Sequence, residues 1–473
     1  MSLLRRFNRV AWCGTFFAAG IAATVARAQT VAPAAPAASQ GPAGTLPEDL
    51  LPELKSILKH ALERSPDTIK RGLDLEQAEA HTYIGRGAML PSVGANARYA
   101  VNSARTASST SSEASNSSGF FWQADFSQPL YQWGTLKAQA DIDQLSAKIA
   151  AREYAEAYRK LATLVRAKYL ELIAKKAALT AAKLQLDLGA RQLARDEEQF
   201  KAGALTPGDM AGKRMAFEER KLGFDRAAGD FGYFKRVFMR VTGLDEFADE
   251  AVPVAIPAAP PAADKGEGLL HAFLRDKAAE TFQGQIYSLN IRQSDLNYKI
   301  ADYWLWPRFS FNAGRSVSNS TQAFVNQVQQ QAIVQNYYGV VVNWPIFDGF
   351  ATRGRKLEAL ARKRANERQL QFYVDATADA AQYLRDQAEF AGRALGFAEA
   401  RLTGAKAGVE LAKENLGRKM ASQDDVDLAA AGLLGTEAAT MLARAEYLSR
   451  WTEFVSLVGA DPAMNNLPPR YVR

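Results

Sequence analysis

Leu90-Pro91-Ser92-Val93-Gly94-Ala95-Asn96-Ala97-Arg98-Tyr99-Ala100-Val101-Asn102 is the stretch that decides the architecture. After the proline, Val93, Ala95, Ala97, Tyr99 and Val101 alternate with Ser92, Gly94, Asn96, Arg98, Ala100 and Asn102. A period of two puts one set on each face of a strand. The chain returns through Trp122, Ala124 and Phe126, alternating with Gln123, Asp125 and Ser127, and leaves at Pro129. Strands are expected at about 92–102 and 120–128, with the Ser-rich stretch from Ser103 to Ser118 as a loop.

The same pattern recurs downstream. Phe309, Phe311, Ala313 and Val317 alternate with Arg308, Ser310, Asn312, Gly314 and Ser316, and Tyr338, Val340, Val342 and Trp344 complete the set. Arg315 interrupts the apolar face and is expected near a membrane rim, where a charge costs less. Strands are expected at about 308–318 and 335–344, with a Gln/Asn-rich loop from Asn319 to Gln335. Pro91 and Pro307, Pro129 and Pro345, Asp209 and Asp425, and Gly243 and Gly459 are each 216 residues apart. A constant offset at four landmarks marks an internal duplication.

Outside the proline pairs the chain reads as helix. Leu130 to Thr206 and Ile346 to Asp461 contain no proline and are rich in Ala, Leu, Lys, Glu, Arg and Gln. Tyr158, Leu161, Val165 and Leu172 follow helical spacing. A helix from Thr135 to Lys201 would be roughly 100 Å long at 1.5 Å per residue, so it must pack lengthwise against others. The expected organisation is a signal peptide at 1–28, a Pro/Ala-rich linker at 29–45 and a first repeat at 46–250 with its helical hairpin tip near 203–208. A second Pro/Ala-rich linker at 251–264 leads to a second repeat at 265–460, with its tip near 418–423, and a tail at 461–473.

The signal is read from Arg5, Arg6 and Arg9, the apolar stretch Val10 to Val25 and the cleavage pattern Ala26-Arg27-Ala28. The one cysteine, Cys13, follows Trp12, which does not fit a lipoprotein site, so no lipid anchor and no disulfide are expected. Removing Arg5, Arg6, Arg9 and Arg27 takes the formal charge from +7 to +3, which gives no case for a nucleic-acid partner. Charged residues make up 23%, too many for a polytopic helical membrane protein but compatible with membrane strands. No later segment holds 18 consecutive apolar residues, so any crossing falls to the strands. Trp122, Trp133, Trp304, Trp306 and Trp344 lie in or beside them as candidate interface anchors, with Pro91, Pro129, Pro307 and Pro345 as strand–helix junctions. Four strands cannot close a membrane barrel, and an open edge in lipid costs several kcal/mol per peptide group, so copies must share one barrel. Two copies give eight strands and three give twelve.

In order, these motifs resemble the TolC-like outer-membrane efflux family from roughly Leu46 to Gly459. Ala61-Leu62-Glu63-Arg64-Ser65-Pro66-Asp67 is similar to the family's opening helix, and Leu90-Pro91-Ser92 to its approach to the first strand. Gln128-Pro129-Leu130-Tyr131-Gln132-Trp133-Gly134 and Trp344-Pro345-Ile346-Phe347-Asp348-Gly349-Phe350 resemble its strand exit, Gln-Pro-Leu-Phe-Asp-Gly-Gly, each keeping one of the two glycines. Phe200-Lys201-Ala202-Gly203 followed by Asp209 matches the first hairpin turn.

The resemblance implies a mainly α fold with four membrane strands per protomer. It implies a homotrimer with a twelve-stranded barrel in the outer membrane of a Gram-negative cell, set among its lipids, on a helical barrel in the periplasm. It also implies a periplasmic adaptor and an inner-membrane pump of RND, ABC or MFS type, with passive conduction, no enzyme activity, no cofactor and no metal. The adaptor-docking tips would be Ala202, Gly203, Ala204, Leu205 and Thr206, with Arg418, Lys419, Met420, Ala421 and Ser422. Asp425 matches a family aspartate near the constriction, with Asp209 as its repeat partner and Asp424 and Asp427 beside it. A ring of such carboxylates favours cations, but carboxylates after a turn also cap helices. The family's closing Arg and Tyr fall on Ala421 and Leu416, so the closing contacts differ here. His60, His81 and His271 lack metal-ligand spacing. A periplasmic structural coiled coil and a periplasmic adaptor remain the alternatives.

Overall fold

The computed structural model describes residues 46–107, 112–258, 263–276, 278–324 and 327–467. The expected signal peptide, the first linker and the extreme C-terminus (residues 468–473) lie outside them. The chain runs through helices α1 (Pro47–Leu50), α2 (Pro52–Arg64) and α3 (Pro66–Gly87), then strands β1 (Ser92–Ala107) and β2 (Ser112–Tyr131). Helices α4 (Thr135–Lys201), α5 (Pro207–Thr242), α6 (Ala263–Asp276) and α7 (Phe282–Asp302) follow. Strands β3 (Arg308–Phe324) and β4 (Gln327–Asn343) and helices α8 (Ala351–Gly417) and α9 (Gln423–Leu457) complete it. Proline opens α1, α2, α3 and α5, where its missing N–H costs nothing. The starts of β1 and β3, of α4 and α8, and of α5 and α9 are each 216 residues apart, and α4 and α8 are both 67 residues long.

The strands form one antiparallel sheet in the order β1-β2-β3-β4. They run well into the Ser-rich and Gln/Asn-rich stretches expected as loops: Ala107 pairs with Ser112, and Phe324 with Gln327. Ladder hydrogen bonds belong to the backbone, so a polar hairpin continues where no apolar face marks it. Arg315 shares a face with Phe309, Phe311 and Ala313. It stands mid-strand between Ala124 and Asn336, two rows short of the Tyr99–Phe120 pair.

The main core lies where α2, α4, α5 and α9 meet. Tyr158, Leu161, Val165, Tyr169 and Leu172 of α4 pack with Leu54, Phe238 and Leu448. Trp451, Phe454 and Val455 of α9 form a second cluster with Phe273 of α6.

The Pro/Ala-rich linker expected at 251–264 packs against the helices at residues 252 and 256. Val252 and Ile256 are buried; the Val252 carbonyl accepts from Lys176 Nζ, and the Ile256 carbonyl accepts from Arg444 Nη1 at 2.7 Å. The tail expected at 461–473 begins with an ordered turn. Pro462–Asn466 makes a 3-10 turn capped by Asp461, whose Oδ1 accepts from Ala463 N–H at 2.9 Å.

Arg166 holds both ends of the described chain to the middle of α4. Its fully buried guanidinium donates to Asp461 at 2.6 and 2.9 Å and to Glu48 at 2.5 and 2.9 Å. Burial alone would lower the Arg166 pKa, but the hydrogen bonds and charges of Asp461 and Glu48 outweigh it and raise the pKa.

Helix α9 is long and apolar enough by composition to cross a membrane. It packs lengthwise on α8 and α4 instead, leaving Leu428 and Leu442 exposed.

Candidate functional site

Register settles which side chains share a face of the sheet. Val93, Phe126, Ala313 and Tyr338 line up across all four strands, as do Ala97, Trp122, Val317 and Val334. One face therefore carries an apolar band, interrupted between those two rows by Arg315 and Asn336. The opposite face carries Asn96, Gln123, Ser316 and Gln335 in one row, and Gly94, Asp125, Gly314 and Tyr337 in another. Tyr337 lies across Gly314, where a Cβ would fall 2.5 Å from its hydroxyl, and donates that hydroxyl to Asp125. Ser127 donates to Asn312 Oδ1 at 2.8 Å on the same side. The polar face thus carries side-chain hydrogen bonds between strands, and among the described residues β1 and β4 each leave one edge without a strand partner.

Below the sheet, Trp133 donates Nε1–H to the Pro307 carbonyl at 2.8 Å and packs edge-to-face on Tyr131 and Trp306, with ring centroids 4.9 and 4.4 Å away. Trp304 is flanked by Arg308 and Arg355, and Trp344 is exposed. Trp122 stands apart, up the apolar face of β2. Pro91 and Pro307 precede β1 and β3, and Pro345 follows β4. Pro129 sits inside the end of β2, beside an irregularity that suits its missing N–H.

The two strand exits explain the divided glycine pair. Trp133 and Gly134 have φ of 55° and 75°, and Gly349 and Phe350 have 62° and 68°. Both positions of each turn are left-handed, so each repeat carries one non-glycine residue there, at about 1–2 kcal/mol.

At the far end, α4 and α8 finish in the same cap. Gly203 (φ 76°) and Lys419 (φ 60°) are both left-handed, and the next residues, Ala204 and Met420, donate back to Gln199 and Asn415 at 2.9 and 2.8 Å.

Beyond each turn is a capping box. Asp209 Oδ2 accepts from Thr206 Oγ1 at 2.6 Å and from Thr206 N–H at 3.2 Å. Asp425 Oδ2 accepts from Ser422 N–H and Oγ1, both at 2.8 Å. These bonds hold both carboxyls below the usual carboxylate range.

Asp424 and Asp427 are engaged differently. Arg195 of α4 reaches across to α9, donating to Asp424 at 2.9 Å and to Asp427 at 2.7 Å. Burial pushes Asp427 upward, but Arg195 and Gln423 outweigh it and leave its pKa lowered. Arg195 therefore ties the first helical hairpin to the second close to both tips. Sequence reasoning did not single it out, since its partners lie more than 200 positions away. Arg166 had a visible signal: it is a lone cation on the apolar stripe of Ala162, Tyr169 and Ile173.

Fold and site define a class: a chain with a two-faced four-stranded sheet on long paired helices, the outer strands unpaired at one edge among the described residues. Residues 57–222 match the family model of the outer membrane efflux proteins. No curated protein matches.

Solved structures share the fold at low identity. The Campylobacter jejuni CmeC outer membrane channel aligns with a TM-score of 0.65 and 15% identity, over 88% of this chain and 89% of its own. The Neisseria gonorrhoeae MtrE outer membrane channel in its open state aligns at 0.62 and 16%, over 86% and 89%. The Vibrio cholerae outer membrane protein VceC aligns at 0.59 and 16%, over 86% and 96%.

Proposed function

We propose that the chain is one subunit of an outer-membrane export duct. The apolar band across β1 to β4, backed by a polar hydrogen-bonded face, carries this reading. Such a sheet is stable in lipid only when its two open edges are paired, because unpaired peptide groups there cost several kcal/mol each. Closure by further copies follows. Three copies give twelve strands, enough for an aqueous lumen lined by the polar face. The exposed apolar surface of α9 gives those copies a second contact below the membrane.

Conduction is passive. The helical barrel reaches into the periplasm toward an adaptor and an inner-membrane pump, which supply the energy. Residues 202–206 and 418–422 are the docking tips, and Asp209, Asp425, Asp424 and Asp427 lie beside the constriction. Because Asp209 and Asp425 cap helices while remaining exposed, they can serve the cap and a cation-favouring ring together.

The test is fractionation followed by planar-bilayer recording. The account predicts retention in the outer membrane after carbonate washing, an SDS-resistant oligomer and discrete conductance steps. Release by carbonate with no conductance refutes it.

A further inference from the structure

The duplication relates the open edges of this chain to a junction it already contains. Strand β2, the last of the first repeat, pairs with β3, the first of the second. Strands β4 and β1 are their counterparts one repeat away, yet among the described residues each leaves that edge unpaired. The helices repeat the situation. Helices α3, α4, α7 and α8 pack side by side in that order, so the α4–α7 contact joins the two repeats. Helices α3 and α7 start 216 residues apart, as α4 and α8 do, which leaves α8 and α3 as the outermost pair.

Shifted by one repeat, the internal junction names the residues that meet at those edges. Trp122–Val317 becomes Tyr338 opposite Val101, Ala124–Arg315 becomes Val340 opposite Tyr99, and Phe126–Ala313 becomes Val342 opposite Ala97. All six stand on the apolar face. Ser127, which donates to Asn312, becomes Asn343 opposite Asn96 on the polar face, two amides able to hydrogen-bond. At the start of α4, a Cβ on Gly134 would stand 3.6 Å from Lys299 Nζ. One repeat on, Phe350 takes the place of Gly134; one repeat back, Tyr83 takes that of Lys299. Phe350 keeps the left-handed backbone at φ 68° and is 70% exposed, and Tyr83 is exposed as well. A strained aromatic left open to water gains nothing in the lone chain, whereas an aromatic partner across a seam offsets its strain.

We propose that β4 and α8 of one copy dock head-to-tail on β1 and α3 of a second copy, in the register of the internal junction, with Val340 beside Tyr99 and Phe350 packed on Tyr83. The proposal rests on the membrane-duct reading above and supplies its seam. A head-to-tail contact uses different surfaces on its two sides, so it continues from copy to copy instead of ending at a pair. Apolar residues meet apolar ones and Asn343 meets Asn96, so both faces of the sheet run on into the next copy. The seam also accounts for the divided glycine pair: Trp133 is the aromatic of the internal junction, bonded to Pro307, and Phe350 is the aromatic of the seam.

The test is cysteine cross-linking of the full-length protein in membranes, on a Cys13→Ser background that removes the one native thiol. Val340→Cys with Tyr99→Cys should join copies on mild oxidation, because opposed strand residues lie within disulfide reach. Within one chain those positions are on the outer strands of the sheet, roughly 14 Å apart at about 4.8 Å per strand, too far for a disulfide. Phe350→Cys with Tyr83→Cys should link copies independently. Val340→Cys with Ala95→Cys, four residues out of register, should link about tenfold less, and no single cysteine should link at all. Phe350→Gly should lower the temperature at which the oligomer dissociates, even though glycine relieves the left-handed strain. Links from single cysteines, which mark like edges meeting, overturn the proposal. So do an Ala95 link as strong as the Tyr99 link and a raised dissociation temperature for Phe350→Gly. A failure of the duct reading looks different: the wild-type chain would then wash off with carbonate as a single copy, whereas a failure of the seam alone leaves a membrane oligomer that links in another register.

Discussion

Arg166→Met removes the charge that binds both ends of the described chain to α4 and keeps most of the side-chain stem. Four charge-assisted hydrogen bonds of 2.5 to 2.9 Å disappear, leaving Asp461 wholly buried and Glu48 15% exposed, facing each other with no counter-charge. Breaking a buried pair by deleting one partner costs about 3–5 kcal/mol, mostly because the remaining charge cannot be solvated. At 1.4 kcal/mol per decade, the middle of that range is roughly a thousandfold in the local opening equilibrium.

The loss is local, because the clasp fixes only α1 and the 3-10 turn. Hydrogen exchange reads it at two amides, Leu51 N–H bonded to the Pro47 carbonyl and Leu467 N–H bonded to the Met464 carbonyl. Both should exchange about 10² to 10³ times faster in the variant, while amides in β2 and β3 keep their rates. Adding Asp461→Asn should recover part of the protection. The amide is uncharged and its oxygen still accepts from Ala463 N–H. Exchange at Leu51 and Leu467 unchanged within threefold would refute the clasp.

Lys419→Gly should stabilise the second tip by about 1 kcal/mol, because glycine takes a φ of 60° without a Cβ penalty; slower proteolysis at the tip checks it. Val340→Arg, on the apolar face, should cost about 2–4 kcal/mol in lipid, while Ser316→Arg, on the polar face, should cost much less; refolding titrations into liposomes separate them. Arg195→Gln should loosen the hairpin link by up to about 1 kcal/mol, since the pair is partly solvated, and widen the tip-to-tip distance distribution read by spin labels. The lowered pKa values of Asp425 and Asp427 mean that their contribution to the tip is fully present above the ordinary carboxylate range, near 3.9. It is lost as pH falls through their lower folded values, so tip protection should be flat from pH 5 to 8 and fall only in strong acid.

What could be read in advance follows from where the physics is local. The strands were visible where apolar and polar residues alternate, around Val93 to Val101 and Phe309 to Val317. They vanished from the pattern beyond the band, although the ladder continues to Ala107 and Phe324. Helix α4 was legible from Thr135 to Lys201 because a proline-free run of strong helix formers leaves the backbone one good option. Where residues 251–258 dock was not legible, because their prolines advertise an extended chain but not its contacts; Val252 and Ile256 follow no period. The divided glycine pair was seen as a departure, and only the φ angles show that both positions are left-handed. Arg166 and Arg195 depend on partners 118 to 295 positions away, a distance across which no spacing rule reaches.

Counting copies in the membrane-extracted particle tests the central claim most directly. Native mass spectrometry in detergent should return three chains per particle, the number that turns four staves into a closed ring of twelve. A lone chain, stable in plain buffer with Tyr338 and Val340 shielded from water, would contradict it.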